Sequence, residues 1–181
     1  MEDLIDHISR LTVVPLVLPQ VYKQIGAEPC HGILLHGPPG SGKTLLVNAI
    51  AGEFGLVSLN VSAHSIRVGK SGEPEKKIQR LFEEARKKAP CLIFVDEIDA
   101  LTPGGGNLAE GIEARLVTQM VSCMEDLTLE KTDGKPVIVI AATNQPDMVD
   151  PALRRAGMLN REVRLKMPDE NDREKYLPGL L

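Results

Sequence analysis

Tryptophan is absent from this 181-residue chain, and only two tyrosines and three phenylalanines occur. So few rings leave little material for the stacking platforms that bind single-stranded nucleic acid. Basic charge is not in excess either. The formal net charge is −4, so no global field draws the chain to nucleic acid or to an anionic membrane. Cysteine is scarce: Cys30, Cys91 and Cys123 are an odd count without metal-type spacing. Cys91 opens an apolar run and reads as a small buried hydrophobe. All three read as free thiols of a reducing compartment, cytosol or nucleus. No apolar stretch approaches the ~18 residues of a membrane span, and the N-terminus carries no signal-peptide pattern. Met1 runs directly into Glu2-Asp3-Leu4-Ile5, already helix-like, so the start reads as a fragment boundary.

What is present is ordinary for a single globular domain with a real core: 43% hydrophobic and 25% charged residues. No internal repeat or low-complexity tract interrupts it. Leu4, Ile5, Ile8 and Leu11 have helical spacing, with Pro15 and Pro19 expected to break the helix and residues 20–25 to form a second short turn. Ile33-Leu34-Leu35-His36 is a short apolar run before glycines and reads as a buried strand. Residues 43–53 read as helix closing near Gly55, Leu56–Val61 as strand, and Glu73–Lys88 as an amphipathic helix with Ile78, Leu81, Phe82 and Ala85 on one face. Cys91–Val95 is apolar throughout, as in a central strand covered on both faces. Gly104-Gly105-Gly106 reads as a loop, Glu110–Met124 as helix and Lys131–Lys135 as a polar turn. Val137–Ala141 reads as a second buried strand and Val163–Leu165 as an edge strand. The alternation predicts an α/β fold, a mostly parallel five-stranded sheet with helices on both faces. Ligands of such sheets bind beyond the carboxyl ends of the strands.

One motif sits at such an end. Gly37, Gly42, Lys43 and Thr44 fit G-x-x-x-x-G-K-[ST], after a predicted strand and before a predicted helix. Glycines let the backbone curl so that successive N–H groups face phosphate oxygens, and the helix N-terminus adds partial positive charge. Lys43 then bridges the β- and γ-phosphates, and Thr44 offers its hydroxyl to Mg²⁺. The ligand expected is ATP with Mg²⁺.

Asp96 and Glu97 end the apolar run Leu92–Val95, and two acids there are costly unless a cation or water network needs them. Asp96 is placed to hold Mg²⁺, and Glu97 to orient and deprotonate an attacking water. The alternative is that they simply leave the core and cap the next segment. Asp99 reads as structural. Asn144 follows the apolar run Val137–Ala142 and Thr143; it could meet a γ-phosphate or lytic water, or be a turn former. Arg154 and Arg155 are either a solvated pair or a source of charge for a neighbour's phosphoryl transfer.

GPPGSGKT, LIFVDEIDAL and AATNQPDMVDPALRRAG, in this order and spacing, resemble the AAA+ ATPases of the valosin-containing-protein group over nearly all of residues 4–175. SGEPEKKIQRLFEEARKKAPCLIFVDEIDALTP and CMEDLTLEKTDGKPVIVIAATN look most like the first ATPase module of the nuclear valosin-containing-protein-like ATPases. The resemblance implies a P-loop NTPase fold, the AAA+ large subdomain, over residues 1–175. It implies nucleotide contacts along Gly37, Pro38, Pro39, Gly40, Ser41, Gly42, Lys43, Thr44 and Leu45 and at Asp96. Thr44 and Asp96 are the implied metal ligands, Glu97 the base, Asn144 the sensor and Arg155 a trans-acting finger. It further implies hexameric rings of identical subunits, a protein or pre-ribosomal substrate, a nuclear or nucleolar location (cytoplasm as the alternative), and a role in large-subunit ribosome assembly.

Three departures stand out. Met158 occupies the place of a second finger arginine, and Asn160 that of an aspartate. The stretch Ile66–Ser71 lacks the aromatic that commonly grips a polypeptide, leaving Arg67 and Lys70 either to contact an acidic chain or RNA, or to form a solvated loop. The helical lid expected after Asn171 is cut short, with 176–181 only its start, so the chain reads as a fragment of a larger protein. The leading expectation is an ATP-driven remodelling module. The rivals are a nucleotide-binding ring module with little hydrolysis of its own and a general segregase. A DNA-dependent ATPase has no support in charge or aromatic content.

Overall fold

The computed structural model describes residues 2–18, 20–21, 24, 31–70, 72–102 and 111–167. The expectations for most of the 20–25 turn, for Gly104–Gly106, for Cys30 and for 176–181 lie outside these residues. A helix α1 (Glu2–Val17) precedes strand β1 (Gly32–His36), helix α2 (Lys43–Glu53) and strand β2 (Val57–Ser62). Then come α3 (Ala63–Arg67), α4 (Glu73–Lys88), β3 (Cys91–Asp96), a 3-10 turn (Ile98–Leu101) and α5 (Ile112–Glu125). The chain continues through β4 (Val137–Thr143), a second 3-10 turn (Pro146–Met148), α6 (Pro151–Arg154) and β5 (Arg161–Arg164).

The five strands form one parallel sheet in the order β2-β3-β4-β1-β5. Consecutive strands must cross over through helices, which is why helices cover both faces. Strand alternation divides the core in two. Leu34, Ile93, Val95, Val137, Val139 and Ala141 face the layer built with Ile78, Phe82, Leu116 and Met120 of α4 and α5. Ile33, Leu35, Leu92, Phe94, Ile138 and Ile140 face the layer built with Ile8 and Leu16 of α1 and Val47 and Ile50 of α2. The near-continuous apolar runs of β3 and β4 follow from this two-sided burial.

The expected five strands and their places hold, with β5 on an edge. The helix read over Glu73–Lys88 has those bounds, opened by Gly72 in the left-handed region and Pro74 in its first turn. Pro15 does not end α1. It lies in the last turn, two residues before Val17, where its missing N–H removes one hydrogen bond while Leu18 N still donates to Val14 O at 2.9 Å. Burial of Val13 and Leu16 against the sheet outweighs that loss. The solvated-loop reading holds for exposed residues 68–70 and needs correction only at Ile66 and Arg67, while Ser71 lies outside the described residues. Residues 63–67 are helical, and Arg67 donates to Ala100 O at 3.0 Å and Glu113 Oε1 at 2.6 Å, so its charge is satisfied within the chain.

Candidate functional site

The carboxyl ends of β1, β3 and β4 converge. His36 pairs in register with Thr143, and Ser62 at the end of β2 with Asp96. The loop from Gly37 to Gly42 leaves β1 and turns into α2. Gly37 fits closely, since a Cβ there would lie 2.2 Å from Leu165 O. Gly40 and Gly42 have φ of 78° and 88°, in the region glycine alone enters freely, and a Cβ at either would meet nothing within 4 Å. The curl is therefore open on that side. Pro38, Pro39 and Gly40 are exposed around it, and Ser41 is buried beneath.

Lys43, the first residue of α2, is 7% exposed. Its Nζ donates within the curl to Gly37 O at 2.9 Å, Pro38 O at 3.0 Å and Ser41 Oγ at 3.3 Å, and across to Asn144 Oδ1 at 2.7 Å. Burial lowers its pKa from the ordinary lysine value, and Asp96 and Asp99 oppose that shift. Thr44 Oγ1 donates to Asp96 Oδ2 at 2.8 Å. Leu45 projects outward from the same turn, 74% exposed.

Asp96 Oδ1 accepts from the Glu97 N–H at 2.9 Å. Glu97 itself sits at φ 56°, ψ 47°, a left-handed conformation that costs a non-glycine residue ~1–2 kcal/mol. Such strain persists only where the surroundings fix it, and it concentrates at functional positions. It turns the half-exposed Glu97 carboxylate away from the strand, 3.5 Å from Ser62 Oγ and 3.7 Å from His64 Nε2. Asp99, read from sequence as structural, accepts from Thr143 Oγ1 at 2.6 Å and so ties the turn after β3 to the tip of β4.

An ATP–Mg²⁺ group fits these residues. The open glycine curl has room for phosphate, the ammonium within it is held by neutral acceptors that a phosphate can replace, and Thr44 and Asp96 oxygens meet as a hydroxyl–carboxylate pair. Mg²⁺ is bound by one or two protein oxygens with water and phosphate completing the shell, which this pair matches.

Arg155 is not near this cluster. It pairs with Glu125 Oε1 at 2.5 Å, beside an open cavity of about 490 Å³ that lies next to the amino end of β1 and is lined by His31, Leu127 and Met158 among others. Arg154 pairs with Glu162 at 2.7 Å. Arg161, which sequence reading passed over, is exposed and makes no ion pair among the described residues. Met158 is 3% exposed and packs in the core with Leu159. By resemblance it stands where a second finger arginine is expected, and here its side chain is buried. Ser62, His64, Thr143 and Glu125 carried no sequence signal, because each matters through a partner distant in the chain.

The family model described as "ATPase family associated with various cellular activities (AAA)" matches residues 33–167. The chain is 50% identical over 174 residues to the ribosome biogenesis ATPase RIX7 of Saccharomyces cerevisiae, covering 96% of this chain and 21% of that protein. It is 51% identical over 162 residues to the nuclear valosin-containing protein-like protein of Mus musculus, covering 90% of this chain and 19% of that protein. It is 40% identical over 183 residues to the cell division control protein 48 homolog C of Arabidopsis thaliana, covering 98% of this chain and 22% of that protein. The chain thus spans about a fifth of the length of the curated relatives it matches.

Proposed function

This chain belongs to the AAA family of ATPases, and from that premise we propose that it is the ATP-hydrolysing module of a ring-forming protein that remodels protein or ribonucleoprotein complexes during large ribosomal subunit assembly. The observation that carries the reading is the meeting of Lys43, Thr44, Asp96 and Asn144 within hydrogen-bond reach across the tips of β1, β3 and β4. The names of the yeast and mouse relatives support the ribosomal and nuclear part of it. Among the described residues no helix is long and apolar enough to cross a membrane.

In this reading Lys43 exchanges the loop carbonyls for β- and γ-phosphate oxygens. Thr44 and Asp96 would hold Mg²⁺, which when bound would offset charge on the phosphates. Glu97, already turned off its strand, takes a proton from the attacking water, and Asn144 orients that water or the γ-phosphate. Leu45 lies where it can cover part of the nucleotide. A trans-acting arginine completes the site from a neighbouring subunit in a hexamer. Arg155 must leave Glu125 to do so, at a cost of ~1 kcal/mol or less for an exposed pair; Arg161 needs no such exchange.

A second reading, a nucleotide-holding ring module with little hydrolysis, is favoured by one observation: the inward-facing Met158 where a charge is expected. The deciding experiment is turnover by the full-length protein with Glu97→Gln in this module and any second module silenced. Retained ATP binding with lost hydrolysis supports the motor reading, and unchanged turnover supports the holder.

A further inference from the structure

We propose that Asp99 and Thr143 form the positioning pair for Asn144, holding its side chain at the phosphate loop. This deepens the functional reading above and rests on it. Thr143 ends β4 and is 1% exposed, yet both roles of its hydroxyl are used. The hydroxyl donates to Asp99 Oδ1 at 2.6 Å and accepts from the Gln145 N–H at 2.9 Å. The second bond closes a side-chain turn over three residues and leaves Asn144 at its apex. From that apex Asn144 Oδ1 reaches Lys43 Nζ at 2.7 Å. The first bond fixes the turn to the segment that carries Asp96 and Glu97.

The Asp99 end is itself anchored. Its carbonyl accepts from Thr102 N at 3.1 Å and Thr102 Oγ1 at 2.8 Å, and Thr102 Oγ1 also lies 2.5 Å from Met148 O, beyond the β4 tip. The 3-10 turn Ile98–Leu101 is therefore tied to the chain on both sides of Asn144. An exposed asparagine at a strand tip has several rotamers and a free backbone turn. Here the Thr143 hydroxyl bonds the turn on both sides, and the Asn144 amide oxygen meets the ammonium at 2.7 Å. Positioning of this kind acts on the reaction step, since a displacement of ~1 Å costs up to ~10²-fold in rate.

The test uses the full-length protein, with any second module silenced, and reads Mg-ATP affinity, kcat, KM and melting temperature. Thr143→Val removes the hydroxyl at nearly constant volume. It is expected to lower kcat ~10–100-fold while leaving ATP affinity within ~3-fold. Thr143→Ser, which restores the hydroxyl, is expected to recover most of kcat, as is Asp99→Asn, which keeps an acceptor oxygen; Asp99→Ala should resemble Thr143→Val. In an Asn144→Ala background Thr143→Val should add no further loss, because the two act as one unit. Additive losses, or an undisturbed kcat in Thr143→Val while Asn144→Ala is damaging, overturn the positioning role alone. A silent Asn144→Ala overturns the sensor assignment and the positioning role with it. If Thr143→Val and Asp99→Ala both lose the folded state by melting, the pair is a brace of the fold and the proposal is overturned.

Discussion

Lys43 Nζ and Asn144 Oδ1 lie 2.7 Å apart although 101 positions separate them in the chain. The contact joins the loop after β1 to the tip of β4, neighbouring strands in the sheet. It gives the ammonium a neutral acceptor that does not cancel its charge. Lys43 Nζ is thereby held at the mouth of an open glycine curl.

Lys43→Ala is expected to remove most Mg-ATP affinity in calorimetric titration of the full-length protein. The fold should survive, since the loop carbonyls it leaves lie next to exposed Pro38 and Pro39 and can take water. Equal affinity in the parent and the variant would count against the assigned role.

The two arginines can be separated. Arg161→Ala is expected to lower turnover of the assembled protein more than Arg155→Ala, by up to ~10³-fold if Arg161 is the trans-acting group. Arg161 is unpaired among the described residues, whereas Arg155 is shared with Glu125. Rates are compared at equal hexamer content by light scattering. A larger loss in Arg155→Ala restores the assignment read from sequence.

Met158→Arg should destabilise rather than activate. The side chain is 3% exposed within the apolar cluster that holds Leu153 and Leu159, and the Glu125 carboxylate beside the same cavity is already paired with Arg155. The expected cost is at least ~3 kcal/mol, from stranding a charge in an apolar layer. Chemical denaturation of the two proteins measures it. A stable variant with raised turnover would show that the side chain turns outward.

Alkaline stability should depend on Cys91. Its thiol donates to Ala85 O at 3.2 Å, and burial pushes its pKa up to about 11, with Lys88 opposing the shift. The unfolded thiol titrates near ~8.5. Between those values the unfolded chain has lost a proton that the folded chain keeps, so this stability is present below ~8.5 and declines as pH rises toward 11. Denaturant midpoints of the parent should therefore fall between pH ~8 and ~10.5 more than those of Cys91→Ala. Parallel declines would rule out the contribution.

The local order of this protein was legible in its sequence. Apolar runs bounded by glycine, proline and charge gave five strands, and the 3.6-residue period of Ile78, Phe82 and Ala85 gave α4, because each signal is complete within a few residues. The glycine curl with Lys43 and Thr44, and the acids after β3, were legible for the same reason. Pro15 was misread because tertiary burial of α1 decides whether a proline near a helix end is tolerated. The strained Glu97 backbone, the Asp99–Thr143–Asn144 hook and the Arg155–Glu125 pair were decided only by folding. Each depends on which strand tips are neighbours, and the order β2-β3-β4-β1-β5 places β1 beside β4, which sequence order does not. Met158 shows the same division. The sequence determines that no charge stands there, and the packing decides that the side chain in its place is 3% exposed.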